Sequence, residues 1–104
     1  EVGSEQVQCC VDLVAMAVVG EELQTFFDVL GSRVQHIHLA DGNPSGHYVL
    51  GDGNLPIKGY IDTLERNDYT GNLTLEINDS IYWDDPHTSI ERTVQVLRKM
   101  LPET

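Results

Sequence analysis

Three short runs of apolar residues, spaced well apart along the chain, have the length and composition of buried strands. They cover residues 7–14, 34–40 and 73–77, and each is rich in valine, leucine or isoleucine. Short continuous apolar runs are typical of strands covered on both faces, as in a parallel sheet. The pattern predicts three strands, with Asp12 near the end of the first and Glu76 near the end of the third.

Apolar residues recur at helical spacing in three further segments, residues 21–31, 55–71 and 85–101. Signals for helix ends accompany them: Gly31 at the end of the first segment, and Asp85 as an N-cap before the third. The positions predicted to face the core are Leu23, Phe26, Phe27, Leu30, Ile57, Tyr60, Ile61, Leu64, Ile90, Val94, Leu97 and Leu101.

The order strand, helix, strand, helix, strand, helix predicts an α/β fold in which right-handed crossovers build a parallel sheet. Three parallel strands leave two unpaired edges, whereas sheets of this kind are normally covered or closed. We therefore expect residues 1–104 to belong to a larger sheet, and an isolated piece to self-associate through its open edges. A chain that starts at Glu1 suits a fragment or a processed product.

Composition narrows the class of protein. With 104 residues, 40% of them hydrophobic, the chain is expected to be one soluble globular domain or part of one. No apolar run approaches the roughly 20 residues of a membrane-spanning helix, so no membrane segment is expected. A net charge of −11 argues against a nucleic-acid partner. The adjacent Cys9 and Cys10 are expected to stay reduced, as in a cytoplasmic protein.

The ends of the predicted strands carry the candidate chemistry. Asp12, His38 and Glu76 fall there, one for each strand, and such strand ends build the sites of parallel α/β proteins. Two carboxylates and an imidazole suit Mn²⁺, Co²⁺, Mg²⁺ or Zn²⁺, and the imidazole disfavours Ca²⁺. The alternatives are a helix cap for Asp12 and a packing role for His38. For Glu76, burial inside a strand would be costly without a partner or a metal.

Two more histidines belong to this region. His36 shares a strand face with His38 and is expected either to pack or to support the site from deeper in the sheet. The loop from residue 41 to 53 contains four glycines, which let a backbone pass close to a ligand. His47 in this loop is either a substrate contact or an exposed loop residue.

Residues 34–77 carry a set of motifs that occur together in one superfamily. They comprise the H-x-H strand, D-G-x-P-x-G-H from Asp41 to His47, a Gly-Asp-Gly loop, and Y-x-G-x-L-x-L-E-I from Tyr69 to Ile77. This combination resembles the C-terminal portion of the xylose isomerase-like TIM-barrel superfamily of sugar isomerases and epimerases. It is most similar to the ketose 3-epimerase branch, in particular the fructoselysine 3-epimerase type.

The resemblance implies a fold, a cofactor and a reaction. The chain would form units six to eight of a (β/α)8 barrel. In this family two glutamates, an aspartate and a histidine hold a divalent ion, Mn²⁺ or Co²⁺ first, and Asp12, His38 and Glu76 match three of them. The paired glutamates move a proton at C3 of a ketose, so Glu76 would be catalytic, and its counterpart belongs to an earlier strand. The isolated segment would therefore be inactive.

The resemblance also has two departures. Ala15 stands where many ketose epimerases carry a histidine, and Asn43-Pro44 stands where they carry an Asn-Arg pair. We expect Asn43 and His36 to contact the substrate, and His47 to supply a polar contact in place of the arginine.

Three alternatives to the epimerase remain at the level of sequence. The first two are other members of the superfamily, an inosose dehydratase-like enzyme and an endonuclease-like enzyme, and the third is a non-catalytic α/β segment. The acidity of the chain counts against the endonuclease, because that enzyme has to approach DNA.

Overall fold

A computed structural model of the chain describes residues 9–101. Residues 7 and 8 of the first predicted strand therefore lie outside the described residues. The elements, in chain order, are β1 (Cys9–Asp12), α1 (Leu13–Val18), α2 (Leu23–Leu30), β2 (Val34–Leu39), α3 (Ile57–Arg66), β3 (Asn72–Leu75) and α4 (Pro86–Met100), with single 3-10 turns at Gly31–Arg33 and Ser80–Tyr82.

The three strands form one parallel sheet in the order β1-β2-β3, which confirms the predicted α/β class. The register places Asp12 beside His38, and His38 beside Thr74. Both predicted metal ligands on the first two strands therefore lie at the same height and at the same edge of the sheet. Within the described part of the chain, β1 and β3 are each paired on one side.

Two strand boundaries differ from the prediction. Leu13 and Val14 are helical rather than extended, because the Asp12 side chain caps a short helix that starts immediately after it. The third strand ends at Leu75, and Glu76 lies just beyond it. The Glu76 amide still donates to the Leu39 carbonyl at 3.0 Å, so the ladder fixes the backbone of Glu76 without burying its side chain.

The core lies between the sheet and the helices that cover it. Val11, Ile37 and Leu39 from the strands are buried, as are the predicted core positions Leu23 and Phe27 of α2 and Ile57, Ile61 and Leu64 of α3. The remaining predicted positions on these two helices, Phe26, Leu30 and Tyr60, are partly buried against the same cluster. Gly31 ends α2 with a φ of 55°, as predicted, in a conformation that favours glycine.

The face of α4 differs from the prediction. Asp85 caps this helix as expected, but Ile90 and Leu101 are 52% and 43% exposed, while Ser89 and Thr93 are buried. Of the predicted positions, Leu97 packs against the core as expected, but it does so together with Val96 and Met100, so the helix is rotated from the predicted face. In this orientation Arg92 reaches Asp52 of the loop before α3, with 2.8 Å between its Nη2 and the carboxylate.

None of the helices within residues 9–101 is both long and apolar enough to cross a membrane.

Candidate metal centre

Asp12 has two roles at the junction of β1 and α1. Its Oδ1 accepts hydrogen bonds from the amides of Val14 at 3.0 Å and Ala15 at 3.1 Å, which is the standard arrangement of an N-cap. Its second oxygen, Oδ2, takes no part in the cap. The cap therefore holds the carboxylate in a fixed orientation and leaves one oxygen for another partner.

Glu76 lies between two imidazoles. Its Oε1 forms a close contact with Nδ1 of His38, and its Oε2 lies 4.0 Å from Nε2 of His47. The side chains of His38 and Glu76 are each 33% exposed, so neither is buried in the way that the sequence suggested for Glu76. Because Glu76 lies at the end of the strand, its carboxylate stays partly in contact with solvent, and this lowers the cost of desolvation in addition to any partner.

Asp12, His38 and Glu76 form a cluster in which one ligand atom from each lies within 4.8 Å of the others. Metal bonds to nitrogen and oxygen of about 2.0–2.2 Å put two ligands of one ion at most about 4.4 Å apart. Small side-chain movements would therefore let all three bind one ion. The donor set of two carboxylates and one imidazole fits a divalent transition metal. The contact between His38 and Glu76 would then be replaced by bonds to the ion.

The other predicted site residues lie at different distances from this cluster. His47 lies beside the cluster, with its Nε2 4.0 Å from Oε2 of Glu76. His36 pairs with Cys10 and Asn72, two residues before His38 on the same strand. The Asn43 side chain is exposed, and its oxygen accepts a hydrogen bond from Asn54 at 2.6 Å within the same loop.

Cys9 and Cys10 are both free thiols, which confirms that they do not bridge each other. Partial desolvation, followed by the negative charges of Cys9, Glu76 and Asp12, raises the pKa of the Cys10 thiol. In the absence of a metal ion, Cys10 therefore stays protonated at neutral pH.

Asp41 is an organising residue that the sequence analysis did not identify. It is only 1% exposed, and its carboxylate accepts from the amides of Gly42 and Gly51 at 2.8 Å and of Leu55 at 3.0 Å. These hydrogen bonds hold the β2–α3 loop, residues 40–56, around the buried carboxylate of Asp41. An aspartate directly after a buried strand and before several glycines is the local signal that could have revealed it.

A second set of contacts ties the β2–α3 loop to the region after β3. The Tyr82 hydroxyl donates to Asp52 at 2.5 Å and accepts from the Val49 amide at 3.0 Å, and Arg92 binds the other oxygen of Asp52 at 2.8 Å. These partners are 30 to 40 residues apart along the chain, so no local sequence pattern predicts the contacts between them.

This network gives Tyr82 an alkaline titration that can be measured. Desolvation, together with the hydrogen bond to Asp52, raises the pKa of Tyr82 to about 12. Because this folded-state pKa lies above the ordinary value of about 10, the network contributes its stability below pH 10. That contribution is lost as the pH rises through about 12.

We expect the difference in absorbance at 295 nm between the wild-type chain and Tyr82→Phe to titrate with a midpoint near 12. In urea the same difference should titrate near 10, as for a solvated phenol. A midpoint near 10 in the folded protein would contradict the network.

The family model described as "Xylose isomerase-like TIM barrel" matches residues 1–100. Two curated relatives, both described as "Fructoselysine 3-epimerase", come from Escherichia coli O157:H7 and Shigella flexneri. Each is 30% identical over 95 residues, which is 89% of this chain and 34% of the relative. The chain thus spans about a third of the length of the curated relatives that it matches.

Proposed function

The chain belongs to the xylose isomerase-like TIM-barrel family, and we propose that it supplies units six to eight of the barrel of a metal-dependent sugar epimerase or isomerase. The observation that carries the proposal is the cluster of Asp12, His38 and Glu76 at the C-terminal edge of a parallel sheet. Sites of parallel α/β proteins lie at this edge. The two relatives described as fructoselysine 3-epimerases support a sugar substrate.

Asp12, His38 and Glu76 would hold the divalent ion, for which Mn²⁺ or Co²⁺ fits an imidazole-containing donor set best, with Mg²⁺ or Zn²⁺ as alternatives. Bound there, the ion supplies positive charge for the carbonyl and hydroxyl oxygens of a ketose. The preceding units of the barrel would provide the fourth ligand.

Glu76 is proposed to act as a general base at C3 of the ketose. It takes the proton from C3, and the electron pair of the broken C–H bond passes into an enediolate. A second carboxyl group from the preceding units, in its protonated form, donates its proton to the opposite face of C3, which inverts that carbon and leaves the donor as a carboxylate.

The isolated segment is proposed to be inactive, because it carries one of the two carboxylates that this reaction needs. The outer edges of β1 and β3 would be paired by the other strands of the barrel, or by a second copy of the chain when the segment is alone. Two free cysteines beside the site are consistent with a cytoplasmic location.

The proposal is tested by hydrogen exchange in the full-length polypeptide that carries this segment. With Mn²⁺ in D₂O, we expect deuterium to enter C3 of fructoselysine or of a free ketose, as followed by NMR. Glu76→Gln should slow the exchange by roughly 10²–10⁴-fold, while Glu65→Gln, on the exposed face of α3, should not. A protein that binds Mn²⁺ but exchanges no proton at C3 would refute the epimerase.

A further inference from the structure

His47 is held by its backbone rather than left on a flexible loop. Its carbonyl accepts from the amide of Asn78 at 3.0 Å, so the β2–α3 loop is joined here to the segment that follows β3. The neighbouring Tyr48 pairs with Asp41 in an antiparallel bridge. Asp41 holds the base of the loop, so the backbone of His47 is fixed by contacts on both sides.

The two oxygens of Glu76 face different partners. Oε1 contacts His38 and would bind the proposed ion, whereas Oε2 lies 4.0 Å from Nε2 of His47. A separation of 4.0 Å is too long for a direct hydrogen bond. The side chain of His47 is 37% exposed, so the space around this pair opens to solvent or to a ligand.

Nε2 and Oε2 are close enough for one oxygen atom that lies beside them to contact both. An oxygen placed about 2.8 Å from each atom, the ordinary hydrogen-bond length, would see the two at an angle of about 90°. With its proton on Nε2, the imidazole donates to that oxygen and the carboxylate accepts from it. A hydroxyl group, which donates one hydrogen bond and accepts others, satisfies both partners.

We propose that the pair formed by His47 and Glu76 binds one hydroxyl group of a ketose, and that His47 makes the site prefer ligands that carry this hydroxyl. The inference rests on the proposed function, because the ion held by Asp12, His38 and Glu76 would bind the adjacent carbonyl and hydroxyl of the same ligand. When a ligand lacks the extra hydroxyl, the Glu76 oxygen and the His47 nitrogen bind water instead, and the hydrogen bonds to the ligand are lost. The discrimination is therefore against the missing group.

Two small ketones isolate this contact. Dihydroxyacetone has a hydroxyl on each side of its carbonyl, whereas hydroxyacetone has one, so both can chelate an ion but only the first has a hydroxyl left for the pair. Bound Mn²⁺ broadens the proton NMR lines of a ketone that binds beside it. We expect the Mn²⁺-loaded chain to prefer dihydroxyacetone by roughly tenfold, the value of a hydrogen bond to a charged group. Dihydroxyacetone can chelate the ion through either of its two equivalent hydroxyl groups, which alone would give a twofold preference. The expected tenfold preference exceeds this statistical factor.

His47→Ala should reduce this preference to about the statistical factor while its affinity for Mn²⁺ stays within about twofold. His47→Gln keeps a side-chain N–H and should recover part of the preference. His87→Ala is the matched control, because His87 is exposed in the first turn of α4. This inference would be overturned, and the proposed function left intact, by either of two results. One is a wild-type preference for dihydroxyacetone of twofold or less, and the other is an undiminished preference in His47→Ala. Absence of any Mn²⁺ site dependent on Glu76 in the full-length polypeptide would overturn the proposed function and this inference with it.

Discussion

A calorimetric titration of the chain with Mn²⁺ is expected to show saturable binding in the micromolar range that the double variant His38→Ala, Glu76→Ala loses entirely. The three side chains at the strand ends already lie within 4.8 Å of one another, so little rearrangement opposes binding. Removal of two of three ligands leaves a single carboxylate, which binds Mn²⁺ no better than other surface acids. We expect the affinity to fall by at least roughly 100-fold, the upper range found when even a supporting residue of a metal site is removed.

The contribution of Asp12 can be separated from its structural role. Asparagine caps helices as well as aspartate does, so Asp12→Asn should keep α1 folded while removing a charged ligand. We expect it to weaken Mn²⁺ binding without lowering the unfolding temperature. Glu65→Ala and His87→Ala provide controls of the same residue types at exposed positions outside the cluster. Equal Mn²⁺ binding by the wild-type chain and the double variant would show that the ion binds elsewhere.

The sequence was sufficient to place this cluster because its geometry follows from repeating structure. Parallel strands end at one edge of a sheet, so Asp12 and His38 had to be neighbours once β1 and β2 were recognised. The apolar faces of α2 and α3 were predictable for a similar reason, since helical periodicity marks them directly.

Elements that depend on one side chain were less predictable. The apolar run from residue 7 to 14 suits a strand throughout, but the carboxylate of Asp12 caps α1 and converts Leu13 and Val14 to helix. The rotation of α4 was missed because its buried positions are Ser89 and Thr93, whereas hydrophobic spacing selected Ile90.

Contacts between distant loops were not predictable from the sequence. Tyr82, Asp52 and Arg92 carry no spacing signal that links them, and their network exists only once the sheet has brought their loops together. The approach of His47 to Glu76 has the same origin.

Replacement of Asp41 by alanine is expected to cause the largest loss of stability among single changes in the β2–α3 loop. The substitution leaves the amides of Gly42, Gly51 and Leu55 without their acceptor in a buried region. Each unsatisfied buried donor costs about 1–3 kcal/mol, so the free energy of unfolding should fall by about 3 kcal/mol or more. Urea denaturation measures this change. Asp28→Ala, at an exposed position on α2, should change it by no more than about 0.5 kcal/mol.

A substitution of Gly53 tests the same packing by adding atoms next to Asp41 instead of removing them. A Cβ on Gly53 would lie 2.5 Å from the Asp41 carboxylate, so Gly53→Ala should force the loop apart and cost roughly 1–3 kcal/mol. Gly59→Ala is the control: its Cβ would meet only Pro56 at 3.8 Å inside α3, where alanine should stabilise by roughly 0.5–1 kcal/mol. A Gly53→Ala chain as stable as the wild type would contradict the packing around Asp41.

Asp41→Asn connects this loop to the proposed site. The amide keeps one acceptor oxygen, so the loss of stability should be smaller than for Asp41→Ala, and the chain should remain folded. Because the three proposed ligands lie outside the loop, its affinity for Mn²⁺ should be unchanged. The preference for dihydroxyacetone should nevertheless fall, since a loosened loop no longer fixes His47 opposite Glu76. An unchanged preference in this variant would mean that the contact between His47 and Asn78 positions the imidazole without Asp41.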